Sequence, residues 1–82
     1  MEQQGSLRPL AFALRGRLSI VRKVAAGDPE TARFLAALGI HPGVRITIEE
    51  AAPLAGPLLV RVGDARYALG RAVAQAILVE EA

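Results

Sequence analysis

The chain has no cysteine and no tryptophan among its 82 residues, and only one histidine. The missing thiols exclude a disulfide scaffold, thiolate metal sites and cysteine nucleophiles together, and they favour a cytosolic setting. Aromatic residues are scarce: Phe12, Phe34 and Tyr67 are all there are. A core must therefore be built from Val, Ile, Leu and Ala. No apolar run approaches the ~20 residues that a membrane-spanning helix needs, and the N-terminus lacks the apolar stretch of a signal peptide. Direct insertion into a membrane is not expected. What the chain does have is 52% hydrophobic and 22% charged residues, the composition of a globular domain long enough for one core. Residues 1–9, polar and carrying a proline, read as a frayed N-terminal segment, and residues 10–82 as a single domain.

Charge of either sign is also modest in excess. Ten Lys and Arg against eight Asp and Glu leave +2. Residues 1–23 hold Arg8, Arg15, Arg17, Arg22 and Lys23 against Glu2, a balance of +4, and the remainder has five basic and seven acidic groups, a balance of −2. A basic cluster of this kind suits nucleic acid in principle, but no aromatic residue is interleaved within Arg15 to Lys23 to stack on bases. Nucleic acid is an unfavoured partner, and a small basic barrel binding RNA is the remote alternative.

The clearest local signal is Asp28 to Gly43, DPETARFLAALGIHPG. Asp28 can cap the free amides of a first turn, and Pro29 suits the first helical position. Thr31, Phe34, Leu35 and Leu38 fall at i, i+3, i+4 and i+7, one apolar stripe. Gly39 can turn left-handed with Ile40 folding back on Leu35, a Schellman ending, and Pro42-Gly43 predicts a type II turn. A helix over about 29–38 is expected.

Strands surround it. Arg15 to Val24 forms the first, with Gly16 marking a bulge or a close backbone approach. Leu10 to Leu14 before it reads as a short apolar lead-in, strand or turn. Val44 to Glu50 alternates Val44, Ile46 and Ile48 against Arg45, Thr47 and Glu49. Ala51 to Pro57 is a loop stiffened by two prolines. Leu58 to Val62 and Arg66 to Leu69 flank Gly63-Asp64 as a hairpin. A short helical turn over about 70–76 precedes a closing strand at Ile77-Leu78-Val79. A helix set among short strands, in a chain this small, predicts a mainly β fold, a small barrel with one inserted α-helix.

These pieces carry a family resemblance. Leu38-Gly39-Ile40-x-Pro42-Gly43, Ala52-Pro53-Leu54-x-Gly56-Pro57, Val62-Gly63 and Ala68-Leu69, in that order, resemble the FeoA (ferrous iron transport protein A) family over roughly residues 14–80. The resemblance implies an SH3-like β-barrel acting without catalysis on the cytoplasmic region of the FeoB ferrous iron transporter. The same domain closes iron- and manganese-dependent repressors of the diphtheria-toxin-repressor type. Tyr67-Ala68-Leu69-Gly70-Arg71, Ala74 and Ile77-Leu78-Val79 look equally like those repressor tails. The chain departs from freestanding members at Gly70, where a basic residue is common, and at Ala13-Leu14, where a Pro-Gly turn often stands. A repressor module is therefore the alternative, although Met1 and the lack of a helix-turn-helix favour a freestanding protein.

Catalysis is not expected. Ser19, His41 and Asp28 or Asp64 could be imagined as a triad, but no nucleophile motif surrounds either serine. His41, with Glu49 and Glu50 as its nearest acidic neighbours in sequence, is a weak candidate metal ligand, because one imidazole and two carboxylates make a thin set without metal-motif spacing. No tightly bound cofactor is expected, with weak or intermolecular transition-metal binding left open, as is homo-oligomerisation. The partner-binding candidates are Pro53, Leu54, Gly56 and Pro57, with Glu49 and Glu50 to orient the partner. The competing reading of Leu54 is that it caps the open end of the barrel.

Overall fold

The computed structural model describes residues 7–82. It is mainly β: six strands, all pairing antiparallel, with two short helices, curled as an SH3-like barrel. The strands are Arg8–Pro9 (β1), Leu18–Val24 (β2), Arg45–Ala51 (β3), Leu58–Val62 (β4), Ala65–Leu69 (β5) and Ile77–Glu81 (β6), in the spatial order β1-β6-β2-β3-β4-β5. Pro29–Ala37 (α1) lies between β2 and β3, and Arg71–Gln75 (α2) between β5 and β6. No helix of the described residues is long and apolar enough to cross a membrane.

The core follows from the alternation along the strands. Val21, Ile46, Ile48, Leu58, Val60, Leu69, Ile77 and Val79 point inward, joined by Leu10, Leu35, Ile40 and Ala74. Among the described residues the buried hydrophobic side chains are all aliphatic, with Tyr67 half-buried against them.

α1 ends as its sequence predicts. The Asp28 carboxylate accepts from the Thr31 amide at 2.9 Å, and Thr31 Oγ1 donates to the same group. At the other end Gly39 takes φ +81°, while the Ile40 and Gly39 amides donate to the Leu35 and Ala36 carbonyls at 2.9 and 3.0 Å, completing the Schellman pair. Gly43 takes φ +97° and the Val44 amide donates to the His41 carbonyl, closing the Pro42-Gly43 turn.

The stripe is narrower than expected. Leu35 is fully buried and Thr31 and Leu38 partly so, but Phe34 is 49% exposed. Phe34 sits ~100° round the helix from Leu35. With Leu35 at the centre of the docked face, Phe34 falls on its margin.

The N-terminal boundaries differ from those expected. The first strand begins at Leu18, not Arg15, because a turn closed by the Arg17 amide on the Leu14 carbonyl occupies the preceding residues. Within that turn Gly16 takes φ +80° and its amide donates to the Ile48 carbonyl at 2.8 Å. A Cβ there would meet nothing within 4 Å, so it marks neither a bulge nor a close approach but a left-handed turn position that suits glycine. The bulge of β2 falls instead at Arg22, where the register against β6 shifts. Leu10–Phe12 is a turn of 3-10 helix that buries Leu10 and leaves Phe12 out. Of the segment expected to fray, Arg8 and Pro9 pair with Val79 and Leu78, while residues 1–6 lie outside the described residues. The β4–β5 turn has Gly63 at φ +61°, the left-handed first position that a type II′ turn gives to glycine, which explains the Gly-Asp order.

Candidate functional site

The segment expected as an Ala51–Pro57 loop begins at Ala52, since Ala51 ends β3 opposite Leu58, and it is a closed loop between β3 and β4. At its neck the Ala52 amide donates to the Pro57 carbonyl at 3.0 Å, and at its tip the Gly56 amide donates to the Pro53 carbonyl at 3.1 Å. Between them Leu54 (φ 59°) and Ala55 (φ 58°) are both left-handed, the positions of a type I′ turn. Such a turn normally selects Gly or Asn, so two side-chain-bearing residues hold strain there. Gly56 is needed for a different reason. A Cβ at this position would lie 2.8 Å from Ala52 Cβ and 3.1 Å from the Pro53 carbonyl oxygen.

Leu54 is 99% exposed, so it does not cap the open end of the barrel. Behind it Arg71, from α2, donates from Nε to the Gly56 carbonyl at 2.8 Å and from Nη2 toward the Ala52 carbonyl at 3.4 Å. A guanidinium braces the loop by its backbone. Sequence reading singled out Arg71 as part of a family motif and missed this role. One signal was available: it is the only basic residue after Arg66.

The loop forms one wall of a groove of about 200 Å3 lined by Glu50, Ala52, Pro57, Leu58, Leu59 and Ala68. Its lining is apolar except for Glu50. The two neighbouring glutamates are therefore not equivalent. β3 carries a bulge between Ile48 and Glu50, and Glu49 there bonds two guanidiniums, Arg61 Nε at 2.7 Å and Arg66 Nε at 3.1 Å. Glu49, expected beside Leu54 together with Glu50, is held within the sheet by these two guanidiniums. Glu50 is exposed at the groove.

The remaining candidates lie apart from this surface. His41 is exposed in the turn after α1, with Nδ1 3.2 Å from the Pro42 carbonyl oxygen. Among the described residues no three His, Cys, Asp or Glu side chains come together as a metal-holding group. Ser19 is buried on β2, and the Asp28 carboxylate is taken by Thr31, whose bonds hold its pKa below the ordinary carboxylate value. No hydrogen bond joins Ser19, His41 and either aspartate among the described residues. The basic segment meets the acidic tail: Ser19 pairs with Glu81 and Ile20 with Glu80 across β2 and β6. This register puts Arg17 3.4 Å from Glu81 and Arg22 2.8 Å from Glu80, so the asymmetry along the sequence is partly cancelled in space.

Similarities to known proteins bear on this arrangement. The FeoA domain family matches residues 8–81. A protein of Methanocaldococcus jannaschii assigned as Fe(2+) transport protein A is 35% identical over 74 residues, which cover 90% of this chain and 87% of that one. Among solved structures, an iron uptake regulatory protein (FeoA) superposes with a TM-score of 0.82 at 27% identity, over 94% of this chain and 99% of the other. A FeoA protein from Chlorobium tepidum gives 0.81 at 29%, over 89% and 69%. A manganese-dependent transcriptional repressor gives 0.87 at 28%, over 98% of this chain but only 44% of the repressor.

Proposed function

The chain belongs to the FeoA domain family, and from that premise we propose that it is a non-catalytic accessory protein of ferrous iron uptake. In this reading it works in the cytosol by contact with the cytoplasmic region of a FeoB-type transporter. Iron is the transporter's cargo, and transition metal is held by this chain only weakly or between molecules, with His41 as the candidate ligand. The observation that carries the reading is the tip of the loop over residues 52–57. A bulky apolar side chain stands 99% exposed on a braced turn whose two left-handed residues do nothing for the core. A pre-ordered apolar group loses little entropy on docking, which suits it as an anchor. The binding surface is Pro53, Leu54, Gly56 and Pro57, with Glu50 beside it.

The test is titration of the purified cytoplasmic region of the transporter with wild type and Leu54→Ser. The variant should bind at least fivefold more weakly, as loss of an anchor worth ~1–3 kcal/mol implies. Equal affinity would move the surface elsewhere on the barrel. The repressor superposition supports a second reading, a module of a metal-dependent repressor. It predicts that the transporter region does not bind at all.

A further inference from the structure

β5 ends the sheet order, with β4 as its one strand neighbour. The two-residue turn at Gly63-Asp64 makes Val62 and Ala65 a hydrogen-bonded pair, and bonded and unbonded pairs alternate from there. Val60 with Tyr67 and Leu58 with Leu69 are then bonded, whereas Arg61 with Arg66 and Leu59 with Ala68 are not. The amide and carbonyl groups of Arg66 and Ala68 consequently point away from β4. No backbone hydrogen bond from another element reaches them among the described residues, and both residues are exposed. Four strong backbone groups thus form an open edge, the template on which an extended segment can add as a further strand.

The side chains along this edge say what that segment carries. Ala68 continues the row of Glu50 and Leu59 and lines the apolar groove beside Pro57. Its small side chain leaves room for a large neighbour. Arg66 continues the row of Arg61, and both guanidiniums share the Glu49 carboxylate. Two positive charges against one negative leave an excess of +1 on that row, at the exposed margin of the sheet. A carboxylate placed opposite Arg66 would balance it.

We propose that the β5 edge and its groove take an extended segment of the transporter's cytoplasmic region as an additional antiparallel strand. A bulky apolar residue of the segment sits opposite Ala68, and an acidic residue two positions later sits opposite Arg66. A second copy of this chain fits less well. Its own β5 would bring Arg66 rather than an acid, adding cations to a margin already in excess. The inference rests on the proposed contact with the transporter and specifies its chemistry: the Leu54 loop is the wall of the site, and the β5 edge is its floor and rail.

The experiment follows amide hydrogen exchange and binding of the intact chain titrated with the purified cytoplasmic region of the transporter. The Arg66 and Ala68 amides should slow at least tenfold on binding. Ala68→Pro removes an amide that β4 does not use, a change edge strands tolerate, and it should weaken binding at least tenfold. Arg66→Gln, which leaves the backbone intact, should weaken it severalfold and flatten its salt dependence. Should the proline variant fail to fold, Arg66→Gln and the wild-type exchange decide the matter. Binding with unprotected edge amides and unaffected variants overturns this inference and leaves the proposed function in place. No binding of wild type overturns the proposed function first. Protection of the same amides by self-association, without the transporter, assigns the edge to a second copy and overturns the inference.

Discussion

Replacing Leu54 by glycine separates the folding of the loop from its use. Leu54 holds φ 59° with its side chain 99% exposed, so truncation removes almost no buried apolar area. A left-handed conformation is disfavoured for an L-residue by ~1–2 kcal/mol, and glycine escapes that penalty. Against this, glycine has more unfolded conformations to lose, worth ~0.4–1 kcal/mol. The two terms leave Leu54→Gly between neutral and about 1.5 kcal/mol more stable than wild type. In a domain of this size each kcal/mol moves Tm by ~4–8 °C, so the upper half of that range is readily measured. Leu54→Ser keeps the Cβ and the conformational penalty while losing the same apolar surface. It should therefore stay within ~0.5 kcal/mol of wild type, and the difference between the two variants isolates the backbone term. Urea unfolding followed by far-UV circular dichroism measures both. Destabilisation of Leu54→Gly by more than ~1 kcal/mol would refute the reasoning, since it would mean that the leucine side chain is packed in the fold.

Two other outcomes follow from the helix. In chemical denaturation Leu35→Ala should cost ~2–5 kcal/mol, Leu38→Ala clearly less and Phe34→Ala least, following their burial, and any other order would show that α1 docks by a different face. Because the Thr31 amide and hydroxyl depress the Asp28 pKa, its contribution is fully present above the unfolded carboxylate value of ~3.9 and is lost as pH falls through the lower folded value. Asp28→Asn, whose amide oxygen also caps, should remove that acid-side component while leaving stability at neutral pH little changed, and acid titrations of the two proteins compared by circular dichroism check it.

What the chain by itself determined is what depends on neighbours in sequence. Asp28-Pro29 starting a helix, Leu38-Gly39-Ile40 ending it, the Pro42-Gly43 turn and the Gly63-Asp64 hairpin each involve residues within a few positions, whose torsions and hydrogen bonds are local. The inward sets Ile46/Ile48 and Leu58/Val60 likewise follow from alternation alone. The features that only the tertiary structure decided all join distant segments. Phe34 and Leu35 look equivalent on a helical wheel, and it is the docking of α1 that buries one and leaves the other half exposed. Glu49 and Glu50 are adjacent and identical in type, yet a bulge set by pairing with β4 gives the first to Arg61 and Arg66 and the second to the groove. Arg71 braces a loop fifteen and nineteen residues away, and the acidic tail meets the basic strand only through the β2–β6 register. Local chemistry writes the elements; the strand register, which is settled by burying all the inward faces at once, determines which distant charges and surfaces meet.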